Sequence, residues 1–291
     1  MHPIAARQSV VVVVAAALGL TGCPSLGTLF RDRGEVTVQT DLAYVDDGAS
    51  AHRLDLYEPA QADPDTRVVV FVHGGYWNAQ DKQFYEWVTG LYGNVGVALA
   101  REGFIVANIN YRLFPEVKLD GMVDDVADAV DFVAERFPQA PLTLMGHSAG
   151  AHLAAFTAHA PGALSERSEN ASRVTSSVLI SGVYDIQNAA LNDDEQARDE
   201  IFDPLFGASA DDKAEASMTG ALVDGMLPTL FVVGRDDLQG CRQDFDTVEA
   251  AVDDDDVVFV KLDDADHTET ALEIGSEADR ITPAIVDFLN R

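Results

Sequence analysis

The chain has 291 residues, 47% of them hydrophobic, enough for the core of one large α/β domain. It carries 49 Asp+Glu against 19 Lys+Arg, a formal net charge of −30, and a surface of that sign repels phosphate backbones, which argues against nucleic acid as a partner. The two cysteines, Cys23 and Cys241, resemble neither a disulfide framework nor a metal site, and no Pro/Gly/Ser linker or internal repeat divides the sequence.

Residues 1–22 read as a targeting segment. Arg7 supplies a short positive region, no acidic residue precedes Cys23, and residues 10–20 are apolar but too short to span a bilayer comfortably. The run ends in Leu20-Thr21-Gly22-Cys23, which resembles a bacterial lipobox with Cys23 as the lipid-bearing first mature residue. An ordinary cleaved signal or an uncleaved anchor are the alternatives. On the lipobox reading, residues 23–34 are a tether that holds the protein outside the cytoplasm at a membrane surface. Pro24 after the cysteine is compatible with the outer membrane of a two-membrane bacterium.

The folded domain is expected over residues 35–291. Residues 35–45 and 52–58 read as two strands joined at Asp46-Asp47-Gly48. The solid apolar run 67–72 predicts a buried strand, ending in His73-Gly74-Gly75-Tyr76-Trp77. A helix over roughly 81–101 and a strand over 104–110 follow. Apolar Val123, Val126, Ala127, Val130, Val133 and Ala134 at helical spacing predict a helix over 123–137. A central strand over 142–145 runs through Gly146-His147-Ser148-Ala149-Gly150 into a helix over 151–160, and another strand covers 174–180. Residues 186–226 are polar, acidic and too long for a plain loop, so they read as an inserted helical cap around Ile201-Phe202-Asp203-Pro204-Leu205-Phe206. Strands over 229–233 and 257–262 and helices over 243–252 and 277–289 complete the chain. This alternation predicts an α/β fold with a mostly parallel sheet covered on both faces and ligands at the carboxyl ends of its strands, where each motif falls.

The sequence Gly146–Gly150 is G-x-S-x-G set between strand and helix. Glycines there let strand and helix approach closely, and the turn pushes the Ser148 hydroxyl out above the sheet edge. The Ala149 N–H at the helix start points where an oxyanion would form. A serine nucleophile needs a base and an acid to orient the base, in the chain order Ser, Asp/Glu, His on such a sheet. Asp237 after the 229–233 strand is the preferred acid, with Asp236 beside it as the fallback. His267 follows the last strand and is the base. His147 is expected to point away, His152 to pack or cap, and His73 to prop its loop. Gly74 and Gly75 let backbone N–H groups face the substrate oxygen. Tyr76, Trp77, Phe202 and Phe206 are candidates for an aromatic-lined substrate pocket. Cys241 reads as a single thiol near a loop.

These motifs together resemble the α/β-hydrolase superfamily over about residues 35–291. His73-Gly74-Gly75-Tyr76-Trp77 with Asp81-Lys82, the serine motif with His152, and Ser181-Gly182-Val183-Tyr184-Asp185 resemble its HGGxW branch, which holds kynurenine formamidases and small-ester carboxylesterases. The resemblance implies a Ser148–Asp237–His267 triad with Gly74, Gly75 and Ala149 around the oxyanion. The expected chemistry is two-step acyl transfer on a small-molecule ester, with no metal and no organic cofactor; the sequence has no HExxH, paired CxxC or GxGxxG. An aryl formamidase using the same residues is the alternative, and a non-catalytic α/β-hydrolase-like binding protein is a third reading. The chain-wide acid excess, with clusters such as Asp253-Asp254-Asp255-Asp256, suggests a surface adapted to high salt.

Overall fold

The structure is a computed structural model that describes residues 35–84, 90–188, 190, 195–223 and 226–291. The lipobox, Cys23 and the tether therefore lie outside the described residues. Among the described residues, no helix is long and apolar enough to cross a membrane.

Eight strands form one sheet in the order β1-β2-β4-β3-β5-β6-β7-β8. They are β1 Thr37–Ala43, β2 Arg53–Glu58, β3 Val68–Val72, β4 Ile105–Ile109, β5 Leu142–His147, β6 Val174–Ile180, β7 Thr229–Asp236 and β8 Val257–Asp266. β1 pairs antiparallel with β2, and β2 antiparallel with β4; every other pairing is parallel. This is the α/β-hydrolase fold.

The central strands are buried and mostly apolar because both faces are covered, and β3 is apolar at every position. The pleat divides their side chains between two cores. Val68, Val70 and Val72 of β3 and Leu142 and Leu144 of β5 enter the core beneath α2 (Leu119–Arg136) and α3 (Ala149–His159). Val69 and Phe71 of β3 and Met145 of β5 enter the opposite core. There they meet α1 (Gly93–Arg101) and the C-terminal helix. α2 buries Met122, Val126, Val130 and Val133, a stripe at 3.6-residue spacing.

Several helix boundaries differ from the sequence expectation, among them the start of α2, at Leu119 where 123 was expected. α1 starts at Gly93, not near residue 81; among the described residues before it, Tyr76, Trp77, Gln80 and Tyr92 all have positive φ, which a helix does not admit. The helix after β7, α4 (Gln239–Ala251), starts earlier than expected and buries Cys241, Phe245 and Val248. After β8 comes a four-residue helix, α5 (Glu269–Leu272), too short for any periodicity to reveal. The C-terminal helix, α6, is Thr282–Leu289, and proline in its first turn prevents backward extension to 277.

Among the described residues between β6 and β7 are several short helices: Glu195–Ala197, a π-helical turn Arg198–Phe202, then Asp203–Phe206, Ala210–Ala216 and Thr219–Val223. Trp77 is their counterpart on the sheet side, with ring centroids 6.1 Å from Phe202 and 5.0 Å from Phe206. His152 of α3 adds a hydrogen bond from Nε2 to the Ala216 carbonyl at 2.8 Å.

Candidate active site

Ser148 sits between β5 and α3 with φ 57° and ψ −123°, a conformation that side chains other than glycine rarely adopt. The flanking glycines explain why the turn closes. A Cβ on Gly146 would lie 2.2 Å from the Gly150 carbonyl oxygen, and a Cβ on Gly150 would lie 2.2 Å from the Val72 carbonyl oxygen. Only glycine permits α3 to press against both β3 and β5 there. The Ser148 N–H is tied to the Ile180 carbonyl at 2.9 Å, which fixes the turn to the neighbouring strand.

The structure brings the sequence-selected groups together. His267 Nε2 lies 2.9 Å from Ser148 Oγ, and His267 Nδ1 lies 2.6 Å from Asp237 Oδ1. Asp237, not Asp236, is the carboxylate at this point; Asp237 is buried and Asp236 exposed. Ser181 donates to Asp237 Oδ2 at 2.5 Å, and the Leu238 N–H donates to Oδ1 at 2.7 Å. Burial raises the Asp237 carboxyl, but the hydrogen bond and charge of His267 and the bonds from Ser181 and Leu238 outweigh it and hold the group below the usual carboxylate range. A persistent carboxylate facing Nδ1 keeps the proton on that nitrogen and leaves Nε2 free to accept from Ser148.

Gly75, at φ 116°, admits no side chain, since a Cβ would meet the Ala79 carbonyl oxygen at 2.2 Å. Its loop lies against the nucleophile: a Cβ built on Gly74 would be 3.1 Å from Ser148 Cβ. Gly74 itself departs from the sequence expectation. Its N–H donates to the Tyr92 hydroxyl at 3.1 Å and is not available to an oxyanion. The N–H groups of Gly75 and Ala149 have no partner among the described residues, and they are the donors left for a developing negative charge.

The expected aromatic pocket is also corrected. Trp77, Phe202 and Phe206 are buried against one another and against His152, so they offer a ligand no surface. Their apolar area is better spent joining the helical stretch to the sheet. Tyr76, stacked on Phe202 at 6.3 Å and half-buried, is the member of the set that retains exposure.

Of the other histidines, His73 props its loop as expected, with Nδ1 2.7 Å from the Gly74 carbonyl and its ring stacked on Tyr111 at 4.5 Å. His147 does not turn away from the constellation: its ring lies 4.9 Å from that of His267, and its Nε2 is 2.9 Å from the His267 carbonyl oxygen. Cys241 is a buried thiol in the first turn of α4, near the loop that follows β7, its sulfur 4.0 Å from His267 Nδ1. Asp237, Cys241 and His267 each have one ligand-type atom within 4.8 Å of the others. Burial, then the charges of Asp237 and Asp244, push the thiol well above its ordinary value. Sequence reasoning passed over Tyr92, Gln80 and Thr270. Ser181 was visible as the residue ending β6, but its bond to Asp237 spans 56 residues and leaves no local signal.

A serine on a strained strand-to-helix turn, faced by a histidine–carboxylate pair at the carboxyl ends of a parallel sheet, defines an α/β-hydrolase, here of the HGGxW type. A family model described as BD-FAE matches residues 54–238, and the chain belongs to that family. It is 32% identical over 158 residues to a kynurenine formamidase of Danio rerio, covering 54% of this chain and 50% of that protein. It is 37% identical over 146 residues to a protein of Oryza sativa subsp. japonica named probable isoprenylcysteine alpha-carbonyl methylesterase, covering 47% and 34%. The chain thus spans half or less of the length of these curated relatives. Among solved structures, esterase B of Lactobacillus rhamnosis superposes with a TM-score of 0.69 at 20% identity over 89% of this chain and 85% of its own. A carbohydrate esterase from gut microbiota superposes with a TM-score of 0.68 at 17% identity over 87% and 95%. These two establish shared fold.

Proposed function

We propose that this protein hydrolyses carboxylic esters of small molecules through a covalent acyl-enzyme, with Ser148 as nucleophile, His267 as general base and acid, and Asp237 as the group that orients His267. The observation that carries the reading is the unbroken hydrogen-bond line from Ser148 Oγ through His267 to Asp237, beginning at a strained turn that glycine alone permits on either side. The methylesterase relative and the esterase structures agree with it in chemistry.

The steps follow from the geometry. His267 Nε2 takes the Ser148 proton as Oγ attacks the ester carbonyl carbon. The carbonyl oxygen becomes an oxyanion facing the N–H groups of Gly75 and Ala149, each worth roughly 3 kcal/mol of barrier. The imidazolium, stabilised by the Asp237 carboxylate, returns the proton to the leaving alkoxide, and an alcohol departs. Water then repeats the sequence on the acyl-enzyme: His267 deprotonates it, the tetrahedral intermediate collapses, and the carboxylic acid leaves with Ser148 restored.

The formamidase relative supports a second reading, in which the same groups cleave an N-formyl amide. Turnover of short-chain and aryl p-nitrophenyl esters beside N-formylkynurenine, with Ser148→Ala as the blank, separates them. Ester turnover lost in Ser148→Ala is the expected result. Dominant formamide turnover would move the assignment to the second reading, and ester turnover unchanged in Ser148→Ala would remove Ser148 as nucleophile. We further propose that Cys23 carries a lipid that holds the domain at a membrane outside the cytoplasm, on the Leu20-Thr21-Gly22-Cys23 pattern. Incorporation of a labelled fatty acid, abolished by Cys23→Ala, is expected; equal labelling of both chains, or of neither, overturns it.

A further inference from the structure

Beneath Ser148 and His267 runs a chain of buried hydrogen bonds that the acyl-transfer steps do not themselves use. The Gly74 N–H donates to the Tyr92 hydroxyl at 3.1 Å. That hydroxyl lies 3.0 Å from Gln80 Oε1 and 3.2 Å from His147 Nδ1. His147 Nε2 lies 2.9 Å from the His267 carbonyl oxygen. Tyr92 and His147 are both buried, with ring centroids 5.9 Å apart.

The protons on this chain can be placed. A carbonyl oxygen only accepts, so His147 Nε2 carries a hydrogen. Burial, and after it the charge of His267, lower His147 to about 3, so its ring is neutral and Nδ1 is an acceptor. The Tyr92 hydroxyl is the donor in reach of Nδ1 among the described residues. The phenol proton has two acceptors before it, Gln80 Oε1 at 3.0 Å and His147 Nδ1 at 3.2 Å, so the hydroxyl joins all three segments.

The His267 carbonyl has a second partner in Thr270, whose hydroxyl donates to it at 2.8 Å and lies 3.4 Å from His147 Nε2. That hydroxyl is also 2.7 Å from Ser181 Oγ, whose own proton goes to Asp237, so its one proton has two acceptors, whereas the His147 Nε2–H is directed at the carbonyl.

The position of the chain gives it a purpose. Gly74 follows β3, whereas His267 follows β8, and β5, β6 and β7 stand between those strands in the sheet. No backbone ladder sets one loop against the other. We propose that Tyr92 and His147 are positioning residues: they fasten the oxyanion loop and the loop of the base to one buried unit, holding the Gly75 N–H and His267 Nε2 in register about Ser148. The inference rests on the serine-hydrolase reading above.

The test uses the full chain and p-nitrophenyl butyrate, with Ser148→Ala as the blank. Tyr92→Phe removes the phenol hydroxyl at constant shape. His147→Leu removes both ring nitrogens, and His147→Gln keeps an N–H at the distal position. Tyr92→Phe and His147→Leu are expected to lower kcat about 10- to 100-fold with KM within about twofold, the signature of misplaced reacting groups rather than lost binding. His147→Gln is expected to recover most of the loss. The double variant Tyr92→Phe/His147→Leu should be no worse than the poorer single one, because one broken link disables the whole chain. Tyr92→Phe should remain folded and melt no more than several degrees below the parent, the cost of an unpaired Gly74 N–H, so that assays well below that temperature separate positioning from folding. The proposal is overturned if kcat stays within about twofold in both singles, if His147→Gln is no better than His147→Leu, or if the losses multiply in the double. A parent chain with no turnover above Ser148→Ala would take down the serine-hydrolase reading and this inference with it. An active parent with unaffected variants overturns this inference alone.

Discussion

Asp236 and Asp237 are neighbours in sequence with the same side chain, and their surroundings give them different chemistry. Asp236 ends β7 in solvent. Asp237 is turned inward, where Ser181, the Leu238 N–H and His267 satisfy its oxygens. Asp237→Asn should lower kcat by about 10⁴-fold with the fold intact, because an amide can donate to Nδ1 and trap the imidazole in the wrong tautomer. Asp236→Asn should leave kcat within about threefold, since surface changes away from the reacting groups are felt weakly. Steady-state kinetics on the pair checks both, and equal losses would mean that the acid has been misassigned. Gly74 is a lesson at the same scale. Its residue type marks a loop beside Ser148, but which of two adjacent N–H groups is left without a partner among the described residues depends on a tyrosine 18 residues away.

Among the elements, the loop after β3 and the antiparallel edge depend on each other. Lys82 is buried, with Nζ 2.8 Å from Asp55 Oδ1 and 2.9 Å from Asp41 Oδ1. Burial lowers the amine, but bonds and charges from Asp55 and Asp41 outweigh this and raise it above its ordinary value. Asp55 on β2 is fully buried and also receives Gln83 Nε2 at 2.7 Å. The pair ties residues 82–83 to β1 and β2, at the far end of the loop that carries Gly75. Lys82→Met should cost about 3 kcal/mol in urea unfolding, because it leaves the Asp55 carboxylate buried without its cation. Lys82→Met with Asp55→Leu should recover much of that cost, since replacing both charges removes the desolvation penalty. A double variant as unstable as the single would show that the pair's worth lies in its hydrogen bonds to the loop.

For the whole molecule, pH and salt act through different groups. Burial lowers His73, His152 and His159 to about 4 and His147 to about 3. Their folded values lie below the unfolded value of about 6.5, so the unfolded chain binds more protons and stability rises with pH. The contribution is complete above about pH 6.5 and is lost as pH falls toward 4, at about 1.4 kcal/mol per histidine per pH unit. Melting temperature should therefore drop steeply between pH 6.5 and 4 and change little between 7 and 8. Replacing His159 by Gln should shallow that slope by about one proton; an unchanged slope would mean that His159 is not buried neutral. Salt acts on the net charge of −30. Raising ionic strength from about 0.1 to 1 M shortens the screening length from about 10 to 3 Å. We expect the melting temperature to climb by several degrees over that interval, and a flat response would remove the proposal of a surface adapted to high salt.

By itself the sequence determined the parts whose causes are local. A solid apolar run marked β3, and a shorter one β5, because buried parallel strands are apolar on both faces, and the stripe on α2 marked a helix covering them. Gly146-His147-Ser148-Ala149-Gly150 marked the turn because backbone contacts at 2.2 Å exclude every other residue type at its ends. Chain order then gave Ser148, Asp237 or its neighbour, and His267. Tertiary structure alone decided what depends on contacts between distant segments. It chose Asp237 over Asp236, took the Gly74 N–H for Tyr92, and turned His147 under the base. It also buried Trp77, Phe202 and Phe206 in a packing contact where a pocket was expected. Each of these is a competition for one proton, one lone pair or one apolar surface. The competitors lie tens of residues apart, so no window of the sequence contains both.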